Sequence, residues 1–159
     1  AMHEVIKPLS WLLGRWRAEA GGRGVYPTIT SFEYGEELYF FHVGQPNVQV
    51  SFYSWYAESK EPLHREIGFI RIQPGSNKIA LVTAHNIGYA EVQEGEVTEN
   101  ELRAETVGIN RMSFGKDPSA KKLARVIRRK GDELEQVVSM ETVKTPMTEH
   151  LRITYKKVD

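Results

Sequence analysis

The sequence predicts an all-β fold in which antiparallel strands close into a barrel behind a short N-terminal helical turn. Three observations carry that expectation. Apolar and polar residues alternate in short runs along most of the chain, and Gly, Pro, Asn and Asp recur between the runs. No apolar stripe of helical period persists for a useful length. The 159 residues fit a single domain with room for a substantial core.

Residues 1–7 read as a tail, with Ala1 ahead of Met2 as a cloning remnant, and the barrel domain is set at residues 8–159. Pro8-Leu9-Ser10-Trp11-Leu12-Leu13 forms the helical turn, and Gly14-Arg15-Trp16-Arg17 leads into the first strand. Further strands are expected over 32–43, 48–56, 64–72, 79–84, 88–97, 101–107, 123–130, 133–142 and 151–157. In the second of these, Val48, Val50, Phe52 and Tyr56 share one face and Gln49, Ser51, Tyr53 and Trp55 the other. Gly44-Gln45-Pro46, Pro74-Gly75-Ser76-Asn77 and Glu94-Gly95-Glu96 supply turns, and Gly131-Asp132 is a two-residue hairpin signal. Residues 108–119, with Gly115 and Pro118, form a looser segment. Closure of about ten such strands removes exposed sheet edges and leaves an interior wide enough for a small ligand.

Lys plus Arg and Asp plus Glu number 21 each. That balance offers no long-range attraction for nucleic acid. The absence of cysteine removes disulfides, thiolate zinc sites, iron–sulfur clusters and cysteine nucleophiles. No run approaches the ~20 apolar residues of a membrane span, and the first residues lack a signal-peptide pattern. The expected setting is the cytoplasm, with the nucleus as second choice.

His3 lies near a frayed end, whereas His42, His64, His85 and His150 fall at strand ends or turn borders, near a barrel mouth. His64 and Glu66 share a strand face and could line one wall, but a cross-strand hydrogen bond is the simpler reading. Glu36 with Glu37, or Glu66 with Glu91, could supply an acid–base pair only at a separation the sequence does not give. Lys121, Lys122, Arg125, Arg128, Arg129 and Lys130 form a basic run, read as the solvated face of one strand or as an anion-attracting rim. His150 follows a proline break at Pro146 and can hold a ligand inside the cup. Alternation opposes this, because Leu151, Ile153 and Tyr155 mark the core face and leave His150 in phase with Arg152. An irregular backbone at Met147 to Glu149 would re-aim the ring inward.

These residues resemble the nitrobindin family. The matching stretches are Pro8 to Trp16, Tyr26-Pro27-Thr28-Ile29, Tyr34-Gly35-Glu36-Glu37 and His42-Val43-Gly44-Gln45-Pro46. They continue through His64-Arg65-Glu66-Ile67-Gly68-Phe69, Gly88-Tyr89-Ala90-Glu91-Val92, Val138-Ser139-Met140-Glu141-Thr142 and Pro146-Met147-Thr148-Glu149-His150-Leu151. The resemblance covers nearly the whole chain and is greatest to the domain that some larger proteins carry behind a THAP-type zinc finger. It implies a ten-stranded, lipocalin-like barrel with one haem b per chain. It also implies His150 as proximal iron ligand, His64 on the distal side without binding iron, Thr28 in contact with the haem and Met140 lining the pocket. No catalytic residue beyond the haem iron is implied. The partners would be small molecules, nitric oxide and peroxynitrite, the latter converted to nitrate; a homodimer is compatible. Two departures stand out. Gly14-Arg15-Trp16-Arg17-Ala18-Glu19-Ala20 keeps only the first glycine and the tryptophan of the family's usual opening, and His85 stands where relatives usually have glutamine. His85 reads as a mouth or surface substitution, or as a second iron ligand. Two other functions fit the same cup: a carrier of an apolar small molecule, with haem absent or incidental, and a nitric oxide or haem sensor.

Overall fold

A computed structural model of the protein describes residues 1–115 and 120–159. One 3-10 helix, Glu4–Leu12, precedes ten strands. These are β1 (Gly14–Tyr26), β2 (Ile29–Phe41), β3 (Asn47–Tyr56), β4 (Pro62–Ile72), β5 (Lys78–His85), β6 (Tyr89–Val97), β7 (Glu101–Arg111), β8 (Lys122–Lys130), β9 (Glu133–Glu141) and β10 (Thr148–Lys157). Each strand pairs antiparallel with its sequence neighbours, and β1 also pairs with β10, so the sheet closes into the expected barrel. The Gly131-Asp132 hairpin is present. Lys130 faces Glu133 across it, and Gly131 takes φ +64°, a conformation that glycine reaches without steric cost.

Alternation does the sorting. In β5, Ile79, Leu81, Thr83 and His85 point inward and are buried, while Val82 between them is exposed. The helix closes one end. With three residues per turn, Ile6, Leu9 and Leu12 fall on one stripe, and all three are fully buried in the core. A stripe at that spacing is invisible to a search for the α-helical period. The helix begins ahead of the boundary drawn at Pro8, so Glu4 to Lys7 lie within it. His3 is not frayed: its Nδ1 accepts from the Val5 N–H at 3.1 Å and caps the helix. Trp16, buried on β1, donates its indole N–H to the Leu12 carbonyl at 2.8 Å and ties the plug to the barrel wall.

The far end is open, and there the wall is uneven. β7 pairs with β6 out to Arg111 but, among the described residues, with β8 only from Glu101 to Glu105. At Thr106 a side chain replaces the backbone ladder, its hydroxyl accepting from the Leu123 N–H at 2.8 Å. β7 thus runs past the end expected at Val107 into the looser segment, of which Pro118 lies outside the described residues.

Ile6→Ala should cost about 2–5 kcal/mol, the usual range for truncating a fully buried aliphatic side chain. Urea denaturation checks this; an unchanged midpoint would mean that residues 1–7 are a free tail.

Candidate functional site

The open half of the barrel encloses a cavity of about 890 Å³. Its upper wall is apolar, with Phe32, Leu63, Val138, Met140 and Leu151, and its floor is polar, with Glu36, His64, Glu66, His85, Arg125 and Gln136.

His150 reaches the cavity through a bulge. Across β9 and β10, Thr148 faces Met140 and Glu149 faces Ser139, but Leu151 faces Val138, so His150 is an extra residue in the ladder. An inserted residue breaks the alternation, and His150 and Leu151 both line the cavity. The irregularity expected at Met147 to Glu149 therefore sits on His150 itself. Its Nδ1 lies 3.1 Å from the Val25 carbonyl oxygen. A carbonyl only accepts, so Nδ1 carries the proton and the neutral ring keeps a bare lone pair on Nε2. Burial lowers the pKa of His150 below the ordinary histidine value, outweighing the Val25 carbonyl, and favours that neutral form. The Tyr26 ring packs edge-on to the imidazole with centroids 5.3 Å apart, and its hydroxyl donates to the Met140 carbonyl at 3.2 Å.

The floor is a continuous polar network. His64 Nε2 lies 3.0 Å from His85 Nδ1, and His85 Nε2 lies 3.0 Å from Glu91 Oε1. The Thr83 hydroxyl donates to Glu66 at 2.8 Å. One Arg125 nitrogen, Nη2, straddles both Glu66 oxygens at 2.8 and 2.9 Å, while Nη1 donates to Gln136 at 3.1 Å. Gln136 donates to the Tyr155 hydroxyl at 2.7 Å, which in turn donates to Glu36 at 2.6 Å. Burial alone would push the Glu66 carboxyl up, but the adjacent Arg125 and the two histidines hold it well below the usual carboxylate range. Glu91 is likewise held low: burial raises it, and hydrogen bonds from His85, Thr106 and Gln93 outweigh that. For Glu36, burial wins over the Tyr155 hydrogen bond and lifts the carboxyl to about 7.

Three of the four cofactor residues read from the sequence therefore meet at one cavity: His150 and Met140 on one wall and His64 on the floor. Thr28 lies exposed in the β1–β2 turn next to Tyr26, outside the cavity lining. His42 follows β2 and accepts from the Gly44 N–H at 3.1 Å, away from the cavity. Two readings need correction. His85 is no surface substitution: it is buried and lines the cavity toward the mouth, because it falls in phase with Ile79 and Leu81 on β5. Nor does Arg125 belong to a solvated basic face. It shares the inward face of β8 with Leu123 and Ile127, and that phase was available in the sequence. Of the paired carboxylates, Glu37 faces outward to Arg15 and Arg17, while Glu66 and Glu91 flank His85 inside.

The family model for the "THAP4-like, heme-binding beta-barrel domain" matches residues 5–157. The chain is 48% identical to peroxynitrite isomerase THAP4 of Rattus norvegicus over 158 residues, covering 99% of this chain and 28% of that protein. It is 35% identical over 157 residues to peroxynitrite isomerase Rv2717c of Arabidopsis thaliana, covering 99% of this chain and 91% of that one. The crystal structure of Rv2717c from M. tuberculosis superposes with a TM-score of 0.88 at 31% identity, covering all of both chains. The chain thus spans just over a quarter of the length of the mammalian relatives and nearly all of the shorter ones.

A carboxyl whose pKa rises on folding is ionised first in the unfolded chain, so it destabilises the fold progressively from about pH 4.5 to about pH 7. Glu36→Gln removes that penalty. The stability difference between variant and parent should grow by about 3 kcal/mol between pH 4 and pH 8, read by urea denaturation at both. A constant difference would show that Glu36 is ionised in place.

Proposed function

The chain belongs to the family of THAP4-like, heme-binding β-barrel domains, and on that premise we propose that it holds one haem b in the cavity and isomerises peroxynitrite to nitrate. The observation that carries this reading is His150, a half-buried neutral imidazole on a bulge, with Nδ1 committed to the Val25 carbonyl and Nε2 left as the donor atom. A carbonyl accepting from the far ring nitrogen is the usual support of a ligating histidine. The residues fit the group in two further ways. The cavity, at about 890 Å³, lies at the upper end of small-molecule sites. Its apolar wall suits a flat hydrophobic ring, and the Met140 backbone is pinned by Tyr26.

Bound haem supplies ferric iron as a Lewis acid for an anionic oxidant or for nitric oxide. His150 ligates it, Phe32, Val138, Met140 and Leu151 exclude water, and Thr28 borders the same end of the barrel beside Tyr26. His64 is engaged with His85 at the floor, which supports a distal role without direct ligation. Arg125 is spent on Glu66, so Arg111, stacked over Tyr89 at the cavity, is the cation we assign to drawing in an anion. Isomerisation returns every atom and electron of peroxynitrite in nitrate and needs no reductant.

Hemin titrated into the purified protein should give a Soret band that His150→Ala abolishes or weakens at least tenfold. The reconstituted parent should accelerate peroxynitrite decay with nitrate as product. Parent-like hemin binding by His150→Ala would overturn the ligand assignment. Tight fatty-acid binding with negligible hemin affinity would favour a carrier.

A further inference from the structure

The floor of the cavity carries a second set of ligand-type atoms, none of which the haem reading places on iron. Glu66 and His85 are direct cross-strand partners on β4 and β5, and His64 lies two residues before Glu66 on the same face. One potential ligand atom from each of the three lies within 4.8 Å of the others. His64 Nε2 is 3.0 Å from His85 Nδ1 and 3.8 Å from Glu66 Oε1. Tetrahedral ligands on a zinc-sized ion stand about 3.3 Å apart, between those two values. We infer that His64, Glu66 and His85 form a site for a divalent transition-metal ion, with three protein ligands and a fourth position open to the cavity.

The surroundings argue for a cation beyond the three ligands. His85 turns Nδ1 toward His64 and is held at its other nitrogen by Glu91, the carboxylate–histidine pairing that orients metal-bound imidazoles. Glu91 is itself fixed by Gln93 and Thr106. Glu66 keeps acceptor capacity at Oε1, which receives a single donor, Arg125 Nη2, while Thr83 bonds Oε2. The charge balance points the same way. With both imidazoles neutral, the buried Glu66 and Glu91 face one buried guanidinium among the described residues, Arg125, and a bound cation would balance the remaining negative charge. Two imidazoles and a carboxylate suit Zn²⁺, Co²⁺ or Fe²⁺ over Mg²⁺ or Ca²⁺. The His64 side chain is 34% exposed at the cavity, which gives an ion a path in. A single proton held between the two imidazoles is the competing occupant of the 3.0 Å gap. The site shares no residue with the His150 wall and does not depend on haem.

Zinc titrated calorimetrically into the haem-free and the hemin-loaded protein tests this. We expect one Zn²⁺ per chain, and Co²⁺ bound to the haem-free protein should show the strong visible bands of a tetrahedral ion. His85→Gln should weaken zinc at least tenfold. Glu91→Gln, which leaves all three ligands in place, should weaken it ~10–100-fold. His150→Ala should bind zinc like the parent, and retained hemin binding shows that the two floor variants are folded. Absence of stoichiometric zinc binding by the parent, parent-like affinity in both floor variants, or loss of zinc in His150→Ala would each overturn the assignment.

Discussion

The hydrogen bond between His150 Nδ1 and the Val25 carbonyl decides what the open end of this barrel can do. It fixes the tautomer, holds the ring against Tyr26 and leaves one nitrogen free toward the cavity. The bond exists because the ladder between β9 and β10 slips by one residue at His150. Without that slip the ring would follow Arg152 to the outside. A single inserted residue thus turns a solvent-facing position into one that lines the cavity, and the other strands supply the frame around it.

The same frame carries two kinds of interior. Toward the helix the barrel is filled with Trp16, Phe40, Leu38, Val50 and Leu81 and behaves as an ordinary core. Toward the mouth the inward positions become Glu36, Glu66, Thr83, His85, Glu91 and Arg125, and the filling stops. Arg125 joins the two kinds. Its guanidinium lies over the Phe52 ring at 4.6 Å and ties β8 to β4 through Glu66. Such a pair adds little net stability once desolvation is counted, but losing either partner would strand a buried charge. The floor is therefore rigid for a reason of charge as much as of packing.

Much of this was legible in the residues. Turn signals and alternation located all ten strands, and Pro146 ahead of His150 marked the place where regular geometry fails. The polar floor was less visible because its residues are scattered singly over β4, β5, β6 and β8. Reading phase along each strand would have found it: Arg125 between Leu123 and Ile127, His85 after Ile79, Leu81 and Thr83, and Glu91 between Tyr89 and Gln93. The ion pair between Glu66 and Arg125 was beyond reach, since the two residues come together only when the barrel closes. The N-terminal helix was half seen, because its apolar residues repeat every third position and Pro8 sits inside it.

The uneven wall beside the mouth has a mechanical consequence. Past Thr106, β7 is held by β6 on one side, and among the described residues it makes no ladder with β8 on the other. A sheet bends most cheaply where no interstrand bond must break. The outer third of β7 is tied to β6 alone among the described residues, so widening the bowl at this flank, with β6 carried along, would break no bond of the β7–β8 ladder.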